Sequence, residues 1–514
     1  MLSIPIWNVS SIGWALVYTS IGILAWLILG IVYNLLFHPL ARKYQGPLLA
    51  QASILYQVYF ELTGRMPHKL EELHRKYGRI VRIAPNELSF DDPTAWQDIY
   101  GKLILCSHWR MGTNNSPGRG KNTTYNSMSK DPSFYGPGAN GVPSILVCND
   151  EEHQRFRKLL NHAFTSRAVM SQQEILHHHA SKLINGLREK SQQKDAKINM
   201  CLWFDSFGLD VISDLIYGQS FNCLHSKGSP TRETDMIASS FKASTWYRAI
   251  RRMPGLVQVI IKAMLPKEVV RKRQIRMQYS IQKIRERMQR PSERPDVYHF
   301  ISGSGDSSKM SADEMASSIS VLLGAGSETT ATTLCGCIYF LLQSPGVFQQ
   351  LQSEIVQQFQ TEEEITWNKL NSIRFLTAVI DETMRLYPPT PSTLQRRVPA
   401  VGATIAGKSI PPGTIVGVNH YVAHRSPRHF VNATEWTPKR WLGDEAFEAD
   451  DKSAFRPFLL GPRNYAELRI ILARLVWNFD LKLEDKSEDW LTQKVLTFWC
   501  RPELKVKITP RQNA

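Results

Sequence analysis

The sequence predicts a mainly α-helical protein with small β-sheets, preceded by a single N-terminal transmembrane helix. Three observations carry that expectation. Ile12–Phe37 is a run of 26 residues without a charge. From about residue 150 to 385 the apolar positions recur mainly at helical spacing. Short alternating segments with Gly and Pro turn markers lie near 79–90, 396–418 and 496–508, towards both ends of the body.

At 514 residues with 43% hydrophobic content, the chain is long and apolar enough for a substantial core, which excludes a disordered protein. A net charge of +16 favours acidic partners. No basic run is long enough, or interleaved with aromatics enough, for a nucleic-acid stripe. Anionic lipid or an acidic protein surface therefore remains, with no nucleic acid among the expected partners. The seven cysteines (Cys106, Cys148, Cys201, Cys223, Cys335, Cys337 and Cys500) are odd in number and lack zinc-like spacing. They read as reduced, cytosol-facing thiols.

The first element is the anchor, residues 12–37. A bilayer core needs roughly 20 apolar residues, and a secretory signal would carry a basic leader and a shorter apolar stretch. No Lys or Arg precedes this run, whereas Arg42 and Lys43 follow it. The positive-inside rule then sets residues 1–11 in the lumen and the body in the cytosol. Asn8-Val9-Ser10 is a possible luminal glycosylation acceptor. Residues 38–50, with His38-Pro39 and Gly46-Pro47, form a stiff connector. Residues 51–514 form the cytosolic domain.

Within that domain, Arg79–Phe90 alternates and turns at Pro85-Asn86 like a hairpin. Helical periodicity covers Glu151–Arg167, Asp210–Tyr217, a basic amphipathic stretch Val269–Gln289, and Ser311–Leu342. Arg396–Val418 is β-rich, with turns at Gly402, Gly407 and Pro411-Pro412-Gly413. A last helix is predicted over Ala466–Phe479 and a β-like tail over Leu496–Ile508.

Ser311–Leu342 is apolar almost throughout, yet holds Gly324-Ala325-Gly326-Ser327-Glu328-Thr329-Thr330 at its centre. Glycine inside a helix costs about 1 kcal/mol relative to alanine. A buried acid is expensive unless used or paired. The pattern suits a groove that receives a small molecule and passes protons inward; it equally suits a tight crossing of two helices. Glu382 and Arg385, three residues apart, share a helix face and can pair. Arg440, in Trp436-Thr-Pro-Lys-Arg-Trp441, offers a second cation to the same carboxylate.

Jointly these motifs resemble the cytochrome P-450 family over the whole chain after the anchor. Ala325-Gly326-x-Glu328-Thr329-Thr330 is similar to that family's oxygen-activating helix, and Glu382-x-x-Arg385 with Pro438-x-Arg440 to its second cluster. His153-Gln-Arg-Phe-Arg157 resembles the helix that holds a heme propionate, and Phe458-x-x-Gly461-x-Arg463 the approach to the heme loop. The style is that of fungal, microsomal-type enzymes of secondary metabolism. The resemblance implies a cytochrome P-450 fold with heme b, and electrons from NADPH through a separate NADPH-cytochrome P-450 reductase docked on the basic surface. It implies insertion of one oxygen atom from O2 into a small apolar secondary metabolite, polyketide- or terpenoid-like, at the endoplasmic reticulum membrane. It further implies that Glu328 and Thr329, with Gly326 and Ala325, form the oxygen side, and that His153, Arg157, Arg396, Phe458, Gly461 and Arg463 hold the heme. Phe134, Leu394 and Phe498 are pocket candidates by family position.

Two departures qualify the resemblance. Family members continue Gly-x-Arg-x-Cys-x-Gly and several further residues before the last helix. Here Asn464 joins directly to Tyr465-Ala-Glu-Leu-Arg, already the middle of that helix. About seven residues, beginning with the metal-ligating Cys, are missing. Tyr465 occupies the ligand's register, and tyrosinate does bind iron in catalases. The turns that would cradle the heme are lost with the Cys, however, so Tyr465 is not expected to ligate. Cys500 lies in the tail and is not expected to replace the Cys. No metal ligand is therefore predicted.

The second departure is Lys102–Gly118, an excess between Gly101 and Arg119 that reads either as a translated intron or as a surface loop. The alternative to a monooxygenase is a non-catalytic, heme-less relative, whether a pseudoenzyme or a mis-spliced form.

Overall fold

The computed structural model describes residues 9–101, 128–138, 141–161, 163, 165–193, 197–264, 267–290, 296–302, 310–461, 465–484 and 489–511. The Lys102–Gly118 segment, Asn8, Arg463 and Asn464 lie outside them. Helices dominate, and the strands collect into small sheets. The fold class is therefore the one the sequence predicts.

An N-terminal helix, Val9–Val32, continues through one wider turn, Tyr33–Phe37. Over Gly13–Phe37 its mean hydropathy is 2.3 and none of it is buried. Among the described residues it is the one straight helix both long and apolar enough to cross a membrane.

The strands are β1 (Ile80–Ala84), β2 (Glu87–Phe90), β3 (Ser129–Lys130), β4 (Ile198–Asn199), β5 (Arg396–Arg397), β6 (Ala403–Ile405), β7 (Lys408–Ile410), β8 (Ile415–Val418), β9 (Phe479–Leu483), β10 (Val495–Leu496), β11 (Phe498–Trp499) and β12 (Lys505–Pro510). The main sheet runs β1-β2-β8-β5-β3. β1 and β2 form the expected hairpin, and β2 lies parallel to β8. β4-β12-β9 ties the chain's tail back onto its middle. The β3–β5 pairing sets Lys130 opposite Arg396.

The core is built on the central helix, Ala312–Gln343. It starts one residue later than predicted because Ser311 is its cap: Ser311 Oγ accepts from the Glu314 amide at 3.1 Å while the Glu314 carboxylate accepts from the Ser311 amide at 2.8 Å. Such reciprocal capping satisfies two amides that the first turn leaves without partners. The predicted Asp210–Tyr217 helix is longer, Met200–Tyr217, capped by Asn199 and closed by the left-handed Gly218. The apolar positions that open it, Trp203, Phe204 and Phe207, belong to the main core. Conversely, Glu151–Arg167 is two helices, Asp150–Asn161 and Ser166–Ser171. The last helix, Ala466–Asn478, starts where predicted.

Candidate active site

The middle of the central helix presents two different faces. Ala325 is exposed and Gly326 and Thr329 are half-buried, whereas Leu323, Ser327 and Glu328 are buried. Residues 325 and 329, four apart, share a face. Thr329 Oγ1 donates to the Ala325 carbonyl at 2.7 Å, Ser327 Oγ to Leu323 at 2.8 Å, and Thr333 Oγ1 to Thr329 at 2.9 Å. These hydroxyls are thus satisfied within the helix.

The glycines answer a steric demand. A Cβ on Gly326 would stand 2.9 Å from Ile212 Cδ1, and a Cβ on Gly208 would stand 2.9 Å from the Ser327 carbonyl. The helices Met200–Tyr217 and Ala312–Gln343 therefore cross closely at reciprocal glycines. The tight-crossing reading of this motif is what these contacts show, and an accessible face at Ala325 and Thr329 lies beside the crossing.

Glu328 turns away from Thr329. Its carboxylate accepts from Arg501 Nη2 at 2.8 Å, and the same nitrogen donates to Asp205 at 2.7 Å. Burial raises the Glu328 carboxyl to about 7, against the pull of Arg501 and with the help of Asp205. All three line a cavity of about 270 Å³ between the Met200–Tyr217, Arg232–Arg251 and central helices and the β10–β11 tail, with Phe241 and Phe498 in its wall. The expected Glu328–Thr329 pair is thus split between two faces, and Arg501 is a partner that the sequence reading missed. A buried acid demands a cation, but nothing local marks one 173 residues away in the chain.

A cationic cluster forms at the main sheet's edge. His153, half-buried on the Asp150–Asn161 helix, faces Lys130, Arg157 and Arg396. Burial first, then these three charges, lowers its imidazole below the usual value, with Asp150 opposing. Lys130 Nζ donates to the Ile145 carbonyl at 3.0 Å and the Cys148 carbonyl at 3.3 Å. The Arg396 guanidinium lies over the rings of Tyr100 (5.8 Å) and Tyr135 (5.6 Å). The segment is fastened to the first turns of the central helix: Ser317 Oγ donates to Val142 O at 3.2 Å, and Ile145 N donates to Ser318 Oγ at 3.1 Å. His153, Arg157 and Arg396 are brought together as expected, and Lys130 joins them through its strand register.

The Glu382 cluster is complete and fully buried. Arg385 grips Glu382 with two bonds, Nε–Oε2 at 2.9 Å and Nη2–Oε1 at 2.8 Å, and Arg440 Nε reaches Oε1 at 3.3 Å. The Thr437 amide and Trp441 Nε1 supply further donors at 2.9 and 3.0 Å. Arg385 also donates to the carbonyls of His424, Ala433 and Glu435, and Arg440 pairs with Asp450. The cluster therefore binds its loop as tightly as it binds the two helices.

The approach to the missing ligand is different. Phe458 is 38% exposed, its ring 5.7 Å from that of Tyr465. The Gly461 amide donates to the Phe458 carbonyl at 2.9 Å. Tyr465 sits just before the last helix, and its hydroxyl donates to Asp381 Oδ1 at 2.7 Å. Tyr465 was not expected to ligate, and its hydroxyl is committed to this buried carboxylate.

Among the described residues, no group of three or more His, Cys, Asp or Glu side chains could hold a metal ion. The described cysteines stand elsewhere. Cys335 lies in the central helix with its sulfur 3.5 Å from Cys201, Cys337 is fully buried in the same helix, and Cys148 bonds the Ile145 carbonyl. Cys500 lines the cavity on the Glu328 side. Tested against a heme, the described residues fit its acidic edge, through the cationic cluster, and supply no ligand to its iron.

A family model described as Cytochrome P450 matches residues 120–508. The chain is 38% identical to Cytochrome P450 monooxygenase aclL of Aspergillus oryzae, over 96% of this chain and 98% of that one. It is 35% identical to Cytochrome P450 monooxygenase astA of Talaromyces wortmannii, covering 93% and 94%. It is also 35% identical to averantin hydroxylase of Dothistroma septosporum, covering 95% and 90%. With that match and these relatives, the chain belongs to the cytochrome P450 family, in the monooxygenase enzyme class.

Proposed function

We propose that this protein is a biosynthetic monooxygenase of fungal specialised metabolism, adding one oxygen atom from O2 to a small apolar polyketide- or terpenoid-like compound. Its cofactor in this reading is heme b, with electrons from NADPH through a separate membrane reductase. Residues 12–37 hold it as a single-pass protein of the endoplasmic reticulum membrane, with 1–11 luminal, 38–50 as connector and 51–514 cytosolic. The observation that carries the reading is the cationic cluster of His153, Lys130, Arg157 and Arg396, tied through Lys130 and Ile145 to a central helix whose Ala325–Thr329 face is accessible. Arginine and lysine converging beside one histidine call for an anionic ligand such as a carboxylate. Family relatives named as monooxygenases over nearly their whole length support the same activity.

In this reading Arg157, Arg396 and Arg463 bind the propionates, and Gly326, Ala325 and Thr329 line the substrate side. Glu328 is the acid whose pKa, near 7, suits holding a proton at neutral pH. No step is assigned to the iron, because no described residue ligates it.

A second reading, a heme-less relative, is favoured by the Tyr465–Asp381 hydrogen bond, which occupies the one side chain in the ligand's register. Sequencing the natural transcript across codons 95–125 and 455–475 separates the two. A mature message lacking codons 102–118 and carrying a Cys codon after Asn464 supports the monooxygenase. A message identical to this chain at both places supports the heme-less relative.

A further inference from the structure

We infer that the chain in this form folds onto the family scaffold yet offers no thiolate to an iron, and that its deficit is confined to about two helical turns immediately ahead of Tyr465. The inference deepens the proposed function by locating what separates this chain from an active one.

Five hydrogen bonds fix the last helix independently of anything before it. Tyr465 OH donates to Asp381 at 2.7 Å, and Thr330 Oγ1 donates to Glu467 Oε2 at 3.1 Å. Arg469 donates to Asn371 at 2.7 Å and Thr377 at 3.0 Å, and Arg474 donates to Ser181 at 2.9 Å. Ile470, Ile471, Leu472, Leu475 and Val476 are fully buried in the main core. A helix held this way cannot slide to lengthen the loop before it.

The stretch available is short. Three residues separate Gly461 from Tyr465, and such a link spans roughly 14 Å at full extension. Residues 328 and 330 lie on opposite sides of the central helix. Cys500 shares its cavity with Glu328, whereas the last helix meets Thr330. Cys500 therefore lies across the central helix from the place where the ligand is missing.

About seven residues equal about two turns of α-helix. Placed ahead of Tyr465, such a segment extends the helix at its free end and leaves the docked face in register. The docked helix is thus compatible with the longer chain.

The test uses the full-length chain in membranes in three versions: as written; with a seven-residue segment led by Cys inserted between Asn464 and Tyr465; and with the same segment led by Ser. Heme content by pyridine hemochrome, the reduced carbon-monoxide difference spectrum and thermal unfolding are read on each. The expected result is cooperative unfolding in all three and a thiolate-type carbon-monoxide band in the Cys version alone.

A thiolate-type band from the chain as written overturns the inference. So does a heme spectrum of that chain that changes on Tyr465→Phe, because it would make Tyr465 a ligand. Loss of cooperative unfolding in both inserted versions also overturns it, because the segment would then not be a simple extension. A Cys version that binds heme through thiolate but oxygenates nothing when supplied with NADPH and reductase supports this inference and counts against the proposed function.

Discussion

The Glu382 cluster and the Phe458–Tyr465 approach both carry motifs that resemble the family's, and they differ in completeness. In the first, one fully buried carboxylate receives the fully buried Arg385 and Arg440 and the half-buried Trp441 and Thr437 amide. In the second, Phe458 is exposed and the one residue in the ligand's register has turned to Asp381. The contrast teaches that the scaffold's stability and its metal chemistry rest on separate residues. A chain can keep the first and lose the second.

The largest break in that comparison comes from Glu382→Ala. It leaves Arg385 and Arg440 buried without their shared carboxylate, a loss of about 3–5 kcal/mol for a broken buried ion pair. Chemical denaturation should show a much lower midpoint or no cooperative transition. Gly208→Ala comes next. Its added carbon would meet the Ser327 carbonyl at 2.9 Å, and overpacking against backbone costs about 1–3 kcal/mol. An unchanged melting temperature would mean that the two helices do not cross as closely as described.

Tyr465→Phe removes one buried hydrogen bond to a carboxylate and should cost about 1–2 kcal/mol by the same denaturation. The cost belongs to the scaffold, so heme content should not change.

Glu328 gives a pH signature. Its carboxyl is raised to about 7 from 4.5, so the folded chain holds a proton that the unfolded chain releases. That contribution to stability is fully present below about pH 4.5 and is lost as pH rises through 7. Melting temperature should fall across that window, and Glu328→Gln should flatten the fall while Arg501 keeps Asp205. Equal pH dependence in both proteins would show that Glu328 is not the group responsible. The smallest effect is expected at an exposed pair. Lys227→Ala, opposite Glu189 at 2.7 Å, should change stability by less than about 1 kcal/mol.

Much of this was legible in the sequence for physical reasons. The anchor showed because a bilayer demands an uninterrupted apolar run, and the central helix because burial left it apolar around a short polar insert. Glu382 and Arg385 could be paired because they lie one turn apart. Their full partner set could not: Trp441, Asp450 and the carbonyls of the 424–435 loop come from tertiary closure. Arg501 was hidden by its distance in sequence from Glu328, and Lys130 by a strand of only two residues. The start of the Met200–Tyr217 helix was missed because it is buried nearly all round and shows little periodicity, and the break after Asn161 because no Gly or Pro marks it. The Lys102–Gly118 reading, loop or intron, falls outside the described residues.

The most direct test of the central claim is the reduced carbon-monoxide difference spectrum of the unaltered full-length chain, recorded with its unfolding curve. The account predicts a cooperatively folded protein with no thiolate-type band. A thiolate-type band from that same folded chain would contradict it.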